Sequence, residues 1–62
     1  MKSLEWIKEA EDMLKSDKGA FLLRASRMGG VILYKGGERL LSLNNLENAQ
    51  KIAQLLWEDQ GG

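Results

Sequence analysis

The chain has 62 residues, 44% of them apolar and 29% charged, with nine basic groups balanced by nine acidic ones and neither cysteine nor histidine. A chain of this length makes one domain at most and buries only about 60% of the surface its unfolded form exposes, so its stability is expected to be marginal and association is a source of extra burial. The composition excludes a disulfide framework and the usual ligands of structural zinc, and it removes the commonest general base and the best nucleophile at neutral pH. No enzyme activity, cofactor or metal is therefore expected.

Residues 4–16 carry Leu4, Trp6, Ile7, Ala10, Met13 and Leu14 at helical spacing, all but Leu4 within one arc of the helix, with Glu5, Lys8, Glu9, Asp12 and Lys15 opposite. This pattern predicts an amphipathic helix with Ser3 as its N-cap and Gly19 as its stop. Three short apolar runs follow, Ala20-Phe21-Leu22-Leu23, Val31-Ile32-Leu33-Tyr34 and Arg39-Leu40-Leu41-Ser42-Leu43, separated by Gly29-Gly30 and Gly36-Gly37. Glycine reaches positive φ without steric cost, so the two pairs predict hairpin turns in a three-stranded antiparallel meander, with strands near 20–26, 31–35 and 39–43. A second helix is predicted near 46–58. Asn44 has Glu47 at capping-box spacing and Asn45 is the other cap candidate, while Leu46, Ala49, Ile52, Ala53, Leu56 and Trp57 share one face. Leu55 falls off that stripe, and residues 60–62 are expected to fray. Trp6 and Trp57 read as core and interface fillers, and the three methionines as gap fillers.

The expected architecture is thus α+β, a single domain over residues 1–62 in the order helix, strand, strand, strand, helix. With even-length hairpin loops, one sheet face is Phe21, Leu23, Ala25, Ile32, Tyr34, Leu41 and Leu43, which must be core. The other is Leu22, Arg24, Ser26, Val31, Leu33, Lys35, Leu40 and Ser42. Its aliphatic cluster with a basic border is a patch that soluble monomers avoid leaving bare, so either a helix covers it or it binds something.

Charge is unevenly spread. The stretch 18–39 holds Lys18, Arg24, Arg27, Lys35 and Arg39 against Glu38 alone, whereas the segments on either side are net acidic. Solvated edges that complement one another account for this, as they do for most charge runs. No window approaches the ~20 apolar residues of a membrane span and none has the apolar core of a signal peptide, so a cytoplasmic location is the expectation.

Gly19-Ala20-Phe21-Leu22-Leu23-Arg24-Ala25-Ser26 resembles the Gly-x-Phe-Leu-Val-Arg-x-Ser strand of SH2 domains, and Ala10-Glu11 followed by Leu14 resembles the Ala-Glu-x-x-Leu helix that leads into it. The resemblance covers about residues 6–26. It implies that Arg24 and Ser26 hold a phosphate, and a guanidinium fork does match phosphate geometry. Ile7 stands where that family's first helix carries arginine, and a chain without histidine lacks its strand-four histidine. The order of elements is also similar to that of double-stranded-RNA-binding domains, whose second helix is basic where this one has only Lys51, and to small ribonuclease toxins that depend on a histidine absent here.

These readings converge on a non-enzymatic protein-binding or regulatory module that uses the mixed face or its edge, with Leu22, Leu33, Leu40, Arg24, Ser26, Arg27, Lys35 and Arg39 as its candidate binding residues. A protein partner or a second copy of the chain is the expected occupant. A nucleic-acid backbone laid on the basic sheet, with Tyr34 as stacking ring, is one alternative, and the minimal phosphate-recognition module that the SH2 resemblance implies is the other.

Overall fold

The computed structural model describes residues 3–61; Met1, Lys2 and Gly62, the last a part of the expected frayed tail, lie outside it. Its elements are β1 (Trp6–Ala10), β2 (Met13–Ser16), β3 (Phe21–Ala25), β4 (Val31–Lys35), β5 (Glu38–Leu43) and α1 (Leu46–Asp59). The five strands form one antiparallel meander in chain order, β1-β2-β3-β4-β5. The expected order of helix, three strands and helix is therefore corrected to five strands and one helix, and the likenesses that rested on that order lapse with it.

The first helix is replaced by the β1–β2 hairpin. Residues 4–16 satisfy a period of two as well as one of 3.6: Leu4, Trp6, Leu14 and Ser16 turn to one side, Ile7, Met13 and Lys15 to the other. The helix preference of Glu, Lys, Ala, Met and Leu over their alternatives amounts to no more than about 0.7 kcal/mol per residue, a weak prior that tertiary pairing overrides. Here the pairing is with β3, where Leu14 lies opposite Leu23 and Met13 opposite Arg24. The hairpin turns at Glu11-Asp12 without any positive φ, and its register shifts between Lys8 and Ala10, leaving Glu9 as a bulge. Its open end is tied by Asp17, whose N–H donates to the Glu5 carbonyl and whose carboxylate accepts from the Glu5 N–H, both at 2.9 Å. Ser3 caps nothing, and Gly19 stands in the β2–β3 loop with φ +80°.

The β3–β4 and β4–β5 connections are hairpins as expected, but the first has odd length. Ala25 pairs with Val31, so the loop is the five residues Ser26 to Gly30, closed by Ser26 N–H to the Gly30 carbonyl at 3.0 Å. Gly30 has φ +86°, and a Cβ there would stand 2.5 Å from the Leu43 carbonyl oxygen, so the chain passes too close to the end of β5 for any side chain. An odd loop pairs residues of like parity and turns β4 over relative to expectation: Val31 and Leu33 join Phe21 and Leu23, and Ile32 and Tyr34 join Leu22 and Arg24. The Gly36-Gly37 turn has positive φ at both positions, the type I′ geometry that matches strand twist, and it pairs Lys35 with Glu38 and Tyr34 with Arg39 as the spacing predicts. The register then slips by one, Leu33 opposite Leu41, with Leu40 the extra residue of a bulge. This slip offsets the first, and Leu41 and Leu43 return to the core face.

α1 lies over β3, β4 and β5 on one side of the sheet. Asn45 is its cap, accepting from the Asn48 N–H at 2.8 Å and meeting one of the orphan donors of the first turn. Ala49, Ala53 and Trp57 recur every fourth residue and are buried against Phe21, Leu23, Val31 and Leu33; two alanines in the row let the helix axis approach the strands closely. Leu4, whose N–H donates to Gln54 Oε1 at 2.8 Å, is buried in the same core, with Trp6 and Leu14 packed at its margin.

Candidate functional site

Because α1 is the only helix among the described residues, one face of the sheet has no covering layer. Cross-strand pairing assigns its side chains to two rows. The first runs Ile7, Lys15, Leu22, Tyr34, Arg39 and the second Met13, Arg24, Ile32, Ser42. Cationic residues are interspersed among the apolar ones in both, Lys15 and Arg39 in the first and Arg24 in the second. Met13, Leu22, Ile32 and Tyr34 are half-buried by their neighbours alone, while Lys15, Arg24 and Arg39 are exposed.

None of these three cations is in an ion pair; the pairs found among the described residues are Lys18–Asp17 at 3.0 Å and Lys51–Glu47 at 3.9 Å. Arg39 donates one N–H to the Ser42 hydroxyl at 3.1 Å, which holds the guanidinium along β5. Glu11 and Asp12 form the β1–β2 turn, where the Asp12 carbonyl accepts from the Ala25 N–H at 2.8 Å. At the β1 edge Glu9 and Lys15 border one depression with Met13 and Leu22.

At the opposite corner Arg24, Ser26 and Arg27 border a shallow depression of about 280 Å³ with Ile32 and Tyr34 as its apolar side. Ser26 keeps its hydroxyl near the backbone, accepting from the Met28 N–H at 3.2 Å and bracing the loop. The two residues singled out by the SH2 resemblance thus share a surface, but the Ala10-Glu11 to Leu14 segment that the same resemblance makes helical is a hairpin turn.

The other expected site residues separate. Leu33 is fully buried at the centre of the core. Lys35 lies on the helix side, its ammonium 5.5 Å from the Phe21 ring centroid, where it closes the end of the core by a cation–π contact. Leu40 is exposed at the β5 bulge, and Leu22 is where it was expected, on the open face. Reading residues 4–16 as helix hid Lys15 and Met13, and assuming an even loop assigned Ile32 and Tyr34 to the core. The signal that could have found the last two is the length of Ser26-Arg27-Met28-Gly29-Gly30 between the two apolar runs.

A further recess, about 480 Å³, runs between β1 and α1, with Leu4, Trp6 and the exposed Leu55 as its apolar lining and the Lys51–Glu47 pair at its rim. No helix among the described residues is long and apolar enough to cross a membrane. No family model matches the chain, and no curated protein or solved structure matches it significantly.

Proposed function

We propose that the chain is a non-enzymatic docking module that binds a protein partner on the open face of its sheet. The observation that carries this reading is the pairing, on an uncovered face, of half-buried Leu22, Ile32 and Tyr34 with the unpaired cations Lys15, Arg24 and Arg39. Aromatic and aliphatic anchors beside arginine are the composition of interface centres, and the chain offers neither histidine nor cysteine for chemistry. A core this small also gains most from added burial.

Phosphate capture is the second reading, favoured by the depression that Arg24, Ser26 and Arg27 share. The source of that phosphate is a phosphorylated side chain, as the SH2 resemblance implies, or a nucleic-acid backbone that also stacks on Tyr34.

Affinity capture from a cell lysate on the immobilised parent chain, on Tyr34→Ala and on Arg24→Ala separates the readings. Arg24 is exposed, so its variant should melt with the parent; Tyr34→Ala is compared after its melting curve is matched. Protein docking expects a retained protein that survives nuclease and phosphatase treatment and is lost from both variants. Loss after nuclease or phosphatase favours the second reading, and equal retention on all three baits sinks both.

A further inference from the structure

We infer that the occupant of the open face is an acidic amphipathic helix of a partner protein, an inference that rests on the docking reading above and gives it a ligand class. Three observations lead there. The first is charge. Lys15, Arg24 and Arg39 stand on this face without carboxylate partners, at strands β2, β3 and β5. At a strand spacing of about 4.8 Å, Lys15 and Arg39 are about 14 Å apart across the sheet, with Arg24 between them and one row along. A second copy laid face to face would bring these cations against their like, which is costly in a desolvating interface, so the face is better matched to negative charge than to itself.

The second is the kind of backbone the face accepts. Leu22, Arg24, Ile32 and Tyr34 belong to β3 and β4, whose N–H and C=O groups are taken up on both sides by neighbouring strands. The face offers side chains only. A segment docking there must satisfy its own backbone polar groups, which an extended peptide cannot do away from an edge and a helix does internally.

The third is width. The apolar cluster of Met13, Leu22, Ile32 and Tyr34 spans β2 to β4, two strand spacings or roughly 10 Å, the diameter of one helix with its side chains. A helix on this cluster would have Lys15 at its β2 margin, with Ile7 of β1 beyond, Arg39 past its β4 margin, and Arg24 of β3 one row along. The complementary stripe is therefore leucine-like, bordered on both sides by Glu or Asp. The result is a helix, sheet, helix sandwich, one of the few layer arrangements that bury both faces of a sheet.

The test uses three labelled synthetic peptides that share one helical leucine stripe and differ only in the flanking residues, which are Glu, Gln or Lys, together with a labelled oligothymidylate. Each is titrated into the intact chain by fluorescence anisotropy at two salt concentrations, and amide shifts are mapped by NMR. The inference expects the Glu peptide to bind at least about tenfold more tightly than the Gln peptide, and the Lys peptide to bind weakest. It expects perturbed amides at Leu22, Ile32 and Tyr34 but not along α1. It also expects Arg24→Glu with Arg39→Glu, two exposed positions, to fold as the parent does and to prefer the Lys peptide.

Equal binding of the Glu and Gln peptides overturns the acidic class while leaving a docking face. Binding of none of them, with no shifts on the face, overturns both. Oligothymidylate that binds more tightly than any peptide, and weakens steeply with salt, transfers the face to nucleic acid and overturns the inference. A dimer in solution whose interface maps to these same amides also overturns it.

Discussion

Leu33 and Ile32 are neighbours in one strand, alike in size and hydrophobicity, yet the first is wholly buried beneath α1 and the second lies on a face with no cover. Val31-Ile32-Leu33-Tyr34 is apolar at both parities, so β4 itself does not specify which side is core. The choice is made outside the strand, by the five-residue loop that precedes it and by the Leu40 bulge that follows it in β5. Loop length and bulge position thus decide which apolar residues stabilise the fold and which remain for a partner.

Truncation at the two neighbours gives the largest expected contrast. Leu33→Ala removes a fully buried side chain between Leu23 and Leu41 and should cost about 2–5 kcal/mol in lost burial and cavity, leaving so small a domain largely unfolded. Ile32→Ala, whose side chain is still partly in water, should cost well under half as much. Urea unfolding of the two variants checks this; a larger loss at Ile32 would put β4 the other way up.

The loop that sets the parity provides the next contrast. Gly29 and Gly30 both have φ near +85°, but a Cβ on Gly29 meets nothing within 4 Å, whereas one on Gly30 meets the Leu43 carbonyl oxygen at 2.5 Å. Gly29→Ala should cost about 1–2 kcal/mol, the ordinary penalty for an L-residue in the left-handed region. Gly30→Ala carries the same penalty and must also push β5 away from β4, so its melting temperature should fall clearly below that of Gly29→Ala. Equal losses would mean that the close approach to Leu43 relaxes freely.

The two segments that carry helical periodicity show how far the sequence was legible. Residues 46–59 have everything a helix needs locally: the Asn45 cap, a small-residue stripe that fits a sheet, and a glycine with φ +86° just beyond the end. Residues 4–16 have only the stripe. Trp6 and Leu14 fall on one side in either conformation, whereas Leu4 joins them only in the strand pairing, and Glu11-Asp12 gives no glycine or asparagine to mark a turn. What decides the matter is the unpaired edge of β3, a tertiary fact that no window of thirteen residues contains. The glycine-paired turn at Gly36-Gly37 was legible because its chemistry is local. The open face was legible in kind, as a mixed apolar and basic surface containing Leu22 and Arg24, while Arg39 came to it with Tyr34 when β4 turned over. It was misassigned in detail, because Lys15 was taken for a residue of the first helix and β4 for its mirror parity.

The smallest effect concerns how the β1–β2 hairpin, which α1 does not overlie, is held to the rest. The Glu5 N–H donating to the Asp17 carboxylate, and after it the Lys18 ammonium at 3.0 Å, stabilise the charged form and hold this carboxyl below the ordinary aspartate range. A depressed folded value means that the unfolded chain takes up the proton first. The contribution is therefore fully present above the unfolded value of about 3.9 and is lost as the pH falls from there through the folded value. Asp17→Asn keeps an oxygen for the Glu5 N–H but has no proton to gain. Melting curves from about pH 6 down to about pH 2.5 should run parallel for parent and variant at the upper end. Below about pH 4 the parent should lose stability more steeply, the two curves converging. Amide exchange at Glu5 and Asp17 should quicken over the same interval in the parent alone, ahead of exchange in β3 and β4, because the edge hairpin opens without the core. Acid limbs that coincide would mean that the Asp17 carboxylate does not hold the hairpin closed.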